Sequence, residues 1–572
     1  MTTPDAVPPT GSPGPAAAVP TAEELGATAA RLGYPLDAAQ IAEMHAAVVA
    51  AAPATTRLRD RLPADNTAAA LAATDPAHGN RWSDPVSGIG RDSDQYHSQV
   101  VSSGDGDVAA LLAGYRDGGV GPVDVVGRAL AECKRVHARL NCTIATLDER
   151  ALAAAEESAR RWAAGRPRAL EGVPFAVKDV IDVAGVPTTN GSRVYGDRPA
   201  AESATVVQRL EDAGAIPISK DATTEFAVGG PHPPRFGACR NPWDPERWAG
   251  GSSTGTAATV AARVVPFGLG TDVGGSVRLP AAWCGLTGLK PTVGVVPRTG
   301  VFPLSPTTET VGPLAASAVD AALVFAVIRS ADGHDPRIGA LPPFEPPDEP
   351  ADLRGLRIAL PGGYLTELCD SAVRAGLAGL VEVLTDAGAV VVPGELPSAA
   401  EALPIGYQIV FAEAAALHRV NAARWSDYDP VLVRRISQGI TTPALDYLRA
   451  LSFRAELQRE LDAVFAGADV IVVPTCPSTA PRLPDCTVAV DGVEYPLYAA
   501  QSRSTMLANL TGAPGLAVPT GFAPDGCPVS AQLIVPPHRE AVALRMARLF
   551  QARTGHHRRV PPVAAAGPAV PR

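Results

Sequence analysis

Residues Gly250 to Pro280 read GGSSTGTAATVAARVVPFGLGTDVGGSVRLP. A serine pair, Ser252-Ser253, stands at one end, and a Gly274-Gly275-Ser276 turn stands at the other. Between them the Ala-rich stretch Thr256 to Arg263 predicts a helix, and the apolar run Val264 to Leu269 predicts a strand. Loop, helix, strand and turn in that order bring both ends back to one place. Small residues at such a place let backbone N–H groups approach a ligand closely. A serine after two glycines can set its own hydroxyl and several amide donors around one carbonyl, which is what acyl transfer needs. Alone, a Gly-Gly-Ser turn is more often a plain loop.

A second signal comes from the lysines. Of 49 basic residues only four are lysine: Lys134, Lys178, Lys220 and Lys290. Surface cations are written as arginine here, so each lysine asks for a reason. Arginine keeps its proton in a protein, whereas a buried lysine can lose it. Lys178 sits in VPFAVKDVIDVAG, an apolar strand-like run that would lower its pKa by desolvation. The alternative is a lysine paired with Asp179 or Asp182.

Composition sets bounds. The 572 residues suffice for one large α/β domain with additions or for two to three domains. A formal charge of −10 without any basic run argues against nucleic acid as a partner. No apolar stretch is long enough for a membrane span, and residues 1–20 lack the basic and Leu-rich regions of a signal peptide. Eight cysteines without a C-x-x-C predict reduced thiols and a cytoplasmic location. No metal or other cofactor is expected, since the ten histidines form no spaced pair beyond His556-His557.

Along the chain, residues 1–20 and 561–572 read as disordered Pro/Ala-rich tails. Thr21 with Glu24 and Asp37 with Gln40 open two helices, the first stopped by Gly33 and the second with Ile41, Met44, Val48 and Val49 on one face. A polar, low-order stretch from Pro53 to Gly106 closes this 21–106 extension, and the catalytic domain is expected over 107–560. Within it, helices are predicted near Val108 to Tyr115, Val123 to Leu140, Glu149 to Ala164, Thr205 to Ala213, Val319 to Ile328, Ser371 to Ala387 and Arg539 to Ala552. Strands are predicted around Lys178 and at Ala215 to Ser219, Leu356 to Leu360, Ala389 to Val392, Val470 to Val473 and Gly515 to Val518. This alternation predicts α/β with a largely internal sheet.

With Lys178, Ser252 and Ser276 in hand, the chain resembles the amidase signature family over roughly residues 107–560. The residues that carry the resemblance are Gly250 to Thr292, GVPFAVKDV at 172–180, Asn241-Pro242-Trp243, Thr310-Val311-Gly312-Pro313 and GAPGLAVPTGF at 512–522. The resemblance implies a large mixed central sheet covered by helices on both faces, and a Ser–Ser–Lys triad. It implies Ser276 as nucleophile, Ser252 as a proton relay preceded by a cis peptide, and Lys178 as general base. It further implies an oxyanion hole of the Val273, Gly274, Gly275 and Ser276 amides, with Ser253 in support. Asp272 and Arg278 are expected to brace the turn by pairing, with a surface ion pair as the alternative. One departure stands out: Thr254-Gly255 replaces the family's usual Gly-Gly, which puts one close backbone approach in question. The helices of the extension are similar in kind to a small helical subunit that embraces some partners of this fold, here fused to the chain.

The activity implied is hydrolysis of a carboxamide or a related C–N bond such as a carbamate, on a small-molecule substrate. One rival is the glutaminase subunit of an amidotransferase, relying on a partner protein. Another is an α/β-hydrolase-type esterase, because Gly251-Ser252-Ser253-Thr254-Gly255 satisfies G-x-S-x-G with Ser253 as its centre. That elbow needs a strand immediately before it and a later His, for which His334, His418 and His538 are available. Specificity is expected from Gly229 to Phe236, Phe302 to Thr308 and the 400–450 helices. Homo-oligomerisation is left open.

Overall fold

The computed structural model describes residues 19–31, 36–61, 107–196, 198–484 and 486–565. Most of both expected tails, the stop at Gly33 and the stretch 62–106 lie outside them. Helices α1 (Ala22–Arg31) and α2 (Ala38–Arg61) begin with the expected capping boxes. The Glu24 carboxylate accepts from Thr21 N (2.7 Å) while Thr21 Oγ1 accepts from Glu24 N (3.2 Å). Asp37 and Gln40 exchange the same pair of bonds at 2.8 Å each. Helix α2 continues through an exposed Pro53 to Arg61, past the change of character expected there. Met44 is fully buried, but Val49 is 46% exposed, so the apolar stripe is narrower than its sequence suggests.

The rest of the chain opens with α3 (Asp107–Arg116), α4 (Pro122–Leu140), β1 (Thr143–Thr146), α5 (Asp148–Ala163), β2 (Pro174–Lys178), α6 (Thr205–Asp212) and β3 (Ile216–Asp221). The signature segment supplies α7 (Thr254–Ala261), β4 (Phe267–Asp272), α8 (Arg278–Cys284) and β5 (Thr287–Lys290). After β6 (Thr310–Ala315) and α9 (Ala318–Ile328) comes the expected β-α-β unit: β7 (Arg357–Ala359), α10 (Ser371–Asp386) and β8 (Val390–Val392). Three helices follow, α11 (Ala399–His418), α12 (Pro430–Ile440) and α13 (Ala444–Phe465), and α2 packs against all three. The chain ends with β9 (Val470–Pro474), a hairpin of β10 (Thr487–Val490) and β11 (Val493–Pro496), α14 (Thr505–Thr511), β12 (Gly515–Phe522), β13 (Pro528–Ile534), α15 (Glu540–Thr554) and α16 (Pro562–Ala565).

Among the described residues eleven strands form one sheet in the order β1-β3-β2-β4-β6-β5-β12-β13-β9-β7-β8. It is mixed: β3, β2 and β4 are parallel, as are β9, β7 and β8, while the strands between are antiparallel. Both faces are covered, and the strand period explains how. Phe175, Val177, Leu516 and Val518 face a core that includes α9 and α15. Ala176 and Ala517 face the opposite core with α4 and α7. Strands buried on both faces read as continuous apolar runs, which is why β2, β9 and β12 are visible in the sequence.

The signature segment is displaced from its predicted bounds. Its helix starts at Thr254, and its strand starts at Phe267 rather than Val264. Arg263 adopts φ +61°, and Pro266 has no N–H to give a ladder, so Val264-Val265-Pro266 forms a buried turn. Another difference lies at the C-terminus, expected to be disordered from residue 561. Helix α16 buries Val563 to 1% exposure, and Val563 O accepts from Arg135 Nη2 at 3.0 Å. Ending the chain at Arg559 should therefore cost about 2 kcal/mol, read as a lower thermal midpoint; an unchanged midpoint would contradict this packing.

Candidate active site

Lys178 is the last residue of β2 and lies two positions beyond Ala176, on the face covered by α7. Its side chain is fully buried. Nζ donates to Ser252 Oγ at 2.7 Å and to Thr271 Oγ1 at 2.8 Å. Burial pushes its pKa down to about 7, against the opposing fields of Glu309 and Asp272. The pairing alternative is settled by the next residue: Asp179 faces away and meets Lys220 at 3.4 Å. No carboxylate among the described residues forms an ion pair with Lys178. Lys220 and Lys290 are fully buried too, and Lys134 alone is exposed, bridging Asp148.

The loop before α7 carries the serine pair. The Gly251–Ser252 peptide is cis. Ser252 is 4% exposed, and Ser253 is fully buried with its Oγ donating to Thr271 O at 3.4 Å. The Ser253 amide donates to Ser276 O at 3.3 Å, which ties the two ends of the segment together as the sequence predicts. The close backbone approach in question at Thr254-Gly255 is kept by Gly255. A Cβ there would lie 2.0 Å from Cys142 O, and its amide donates to Ala222 O at 2.8 Å. Thr254 Oγ1 adds a bond to the same carbonyl at 2.9 Å.

The turn between β4 and α8 is organised by a buried ion pair. Arg278 meets Asp272 through Nε (3.1 Å) and Nη2 (3.0 Å), both side chains being fully buried. Asn509 Nδ2 donates to Asp272 at 2.8 Å, and Arg278 Nη1 reaches Gln532 and Thr505 O at 2.9 Å each. Burial alone would raise the Asp272 carboxyl, but Arg278 overrides it and holds the group well below the usual carboxylate range. The surface-pair alternative is thereby removed. The same carboxylate accepts from Gly275 N at 2.8 Å. The Gly275 amide is thus engaged by Asp272, and Gly275 does not line the pocket, whereas Val273, Gly274 and Ser276 do.

The pocket above this turn holds about 470 Å³ of atom-free space, part of it open to solvent. Ser252 and Ser276 both line it, Ser253 does not. Each region expected to set specificity contributes: Gly229, Leu304, and Tyr407, Val410 and Arg435 from the 400–450 helices. Asn241-Pro242-Trp243 lies elsewhere, where Trp243 Nε1 donates to Cys284 O at 2.8 Å and fixes the end of α8. His334, His418 and His538 do not line the pocket, and no strand runs directly into Ser253, so the elbow reading has no support in this fold. Sequence reasoning missed Thr271, Arg435, Gln501 and Asn509. For Thr271 a signal existed, since it lies beside Asp272 at the end of a strand running into the turn. For Arg435, one arginine of many on a helix, there was none.

Fold and site together describe an amide-hydrolysing enzyme. The sequence model of the Amidase family matches residues 124–544, and the chain belongs to that family. It is 36% identical over 487 residues to the glutamyl-tRNA(Gln) amidotransferase A subunit of Chloroflexus aurantiacus (strain ATCC 29366 / DSM 635 / J-10-fl), covering 79% of this chain and 98% of that one. Among solved structures, the one described as "An unexpected vestigial protein complex reveals the evolutionary origins of an s-triazine catabolic enzyme" superposes with a TM-score of 0.73 at 32% identity, covering 78% of this chain and 98% of that one. The peptide amidase PAM in complex with the competitive inhibitor chymostatin gives a TM-score of 0.69 at 30% identity, covering 78% and 97%.

Arg278→Ala would strand Asp272 in the core without its partner. The loss expected is about 3–5 kcal/mol, measured by chemical denaturation; a loss below about 1 kcal/mol would show that the pair behaves as a surface bridge.

Proposed function

We propose that this enzyme cleaves a carboxamide, or a related C–N bond such as a carbamate, through an acyl-enzyme on Ser276. The observation that carries the reading is the 2.7 Å bond from the desolvated Lys178 amine to Ser252, inside a pocket that Ser276 also lines. Neutral Lys178 takes a proton from Ser252 as Ser252 takes one from Ser276, and Ser276 Oγ attacks the carbonyl. The Val273, Gly274 and Ser276 amides receive the developing oxyanion; losing one such donor costs about 3 kcal/mol in the barrier. The proton returns through Ser252 to the leaving nitrogen, whose bond to the acyl carbon breaks. Water then repeats the sequence on the ester, releasing the acid and restoring Ser276. Ser253, Asp272 and Arg278 serve by holding the relay and the turn.

A second reading, the glutaminase subunit of an amidotransferase, is favoured by the 36% identity to the Chloroflexus aurantiacus protein. Assembly with itself or with a partner protein belongs to the same proposal, given a neighbour described as a complex and a relative named as one subunit of an enzyme. A cytoplasmic location is supported by eight cysteines without a C-x-x-C; no helix among the described residues is long and apolar enough to cross a membrane. The fused helices fit an accessory module: α2 lies on α11, α12 and α13, two of which contribute to the pocket wall. Deleting residues 1–95 should lower solubility, thermal midpoint and activity together. An equally soluble, stable and active truncated enzyme would count against that role.

The base assignment has a sign. Lys178 acts deprotonated, so kcat/KM should rise with pH through a value near 7 and level off above it. Lys178→Arg, which cannot deprotonate, should lose at least about 1000-fold. A falling pH profile, or an active arginine variant, would remove Lys178 from the mechanism.

A further inference from the structure

The pocket has a charge that the reaction itself does not require. Arg435, on α12, lines it and is 6% exposed. Its guanidinium lies 3.4 Å from the centroid of the Tyr498 ring, and Nη1 donates to the carbonyls of Val228 and, at 3.4 Å, Gly229. Nη2 is buried without a hydrogen-bond partner. Gln501 lines the same pocket at 4% exposure, and its Oε1 is equally unpartnered. An arginine retains its charge in a protein, and a buried charge left without a counter-ion is costly. Here no ion pair to Arg435 exists among the described residues.

Two carboxylates stand on adjoining segments, and both are engaged elsewhere. Glu225 accepts from Ser192 Oγ at 2.6 Å and from Asp429 N at 2.5 Å. Asp429 accepts from Gly230 N and, at 2.9 Å, from Val431 N. Neither lines the pocket, and no aspartate or glutamate does among the described residues. A substrate entering this space therefore meets one cation, one free amide acceptor, and no anion.

From this we infer the substrate class: an amide that carries one carboxylate and no ammonium group. The carboxylate would complete the Arg435 guanidinium through Nη2, and Gln501 Oε1 would accept an N–H or O–H of the same molecule. An α-amino acid amide such as free glutamine brings an ammonium to which this pocket offers the neutral Gln501 Oε1 but no carboxylate, and desolvating it there is unfavourable. Neutral amides gain nothing from Arg435. The inference rests on the acyl-enzyme reading above and sets it apart from the glutaminase reading.

The experiment is a kcat/KM comparison on matched substrates: malonamate, succinamate and glutaramate, the neutral propanamide, butanamide and pentanamide, and L-glutamine. Wild type, Ser276→Ala, Arg435→Gln, Arg435→Lys and Gln501→Glu are compared. The expected result is that at least one half-amide is favoured over its neutral counterpart by on the order of 100-fold. Arg435→Gln should erase that preference by lowering the half-amides on the order of 100-fold more than the neutral amides, and Arg435→Lys should restore part of it. Gln501→Glu, which keeps the shape and adds a negative charge, should weaken the half-amides and improve glutamine. The inference is overturned if neutral amides match the half-amides, if glutamine is the best substrate, or if the wild type hydrolyses none of the panel. It is also overturned if Arg435→Gln lowers charged and neutral substrates alike, because Arg435 would then merely brace Val228 and Gly229. A Ser276→Ala enzyme as fast as wild type would instead sink the acyl-enzyme reading, whatever Arg435 does.

Discussion

The site depends on one constraint: a lysine amine kept out of water with no carboxylate paired to it. An ammonium in a dry interior loses its hydration, and the fields of Glu309 and Asp272 offset that loss only in part, so the neutral amine becomes accessible near neutral pH. The strand supplies this without special devices. Adjacent residues of an extended chain point to opposite faces, which sends Asp179, just past the end of β2, to Lys220 and leaves Lys178 with two hydroxyls, Ser252 and Thr271. Two residues of opposite charge, neighbours in sequence, are thus separated by the pleat of the sheet.

The turn that carries Ser276 uses the opposite solution. Asp272 and Arg278 are as deeply buried as Lys178, yet they are paired at 3.0 Å and fully hydrogen-bonded through Asn509, Gln532 and Thr505 O. Those partners come from α14, β13 and the N-terminal edge of α14, so the turn is clamped by the far end of the chain. A satisfied network of this kind rigidifies a polar site. It also takes the Gly275 amide as one of its bonds, which reduces the donors that face the pocket. One lysine free of charge partners and one charge pair saturated with them therefore sit on either side of the same serines.

Much of this was legible in the sequence, for reasons that differ by element. Long apolar runs buried on both faces, such as those of β9 and β12, declare themselves. Reciprocal capping pairs at Thr21/Glu24 and Asp37/Gln40 do as well. Strands β1, β5 and β6 were hidden because threonine, glycine and proline make up half of each, and β13 because Ser530 and Gln532 interrupt its apolar run; only pairing within the sheet gives those residues a strand role. The rarity of lysine pointed at Lys178, and it holds for Lys220 and Lys290, which are buried as well. Nothing local distinguishes Arg435: its meaning comes from the Tyr498 ring and the carbonyls of Val228 and Gly229, all distant in sequence. The lining of the pocket is a tertiary property here, whereas Ser252 and Ser276 come from one nearly contiguous segment.

The central claim is that chemistry passes through Ser276. Its most direct measurement is a rapid acid quench of the enzyme during turnover of an amide substrate, followed by peptide mass spectrometry. The account predicts the acyl mass on the peptide that contains Ser276, and its absence from that peptide in Ser276→Ala. An acyl group found on Ser253, or turnover at full rate with no acylated serine accumulating even when hydroxylamine fails to intercept an intermediate, would contradict it.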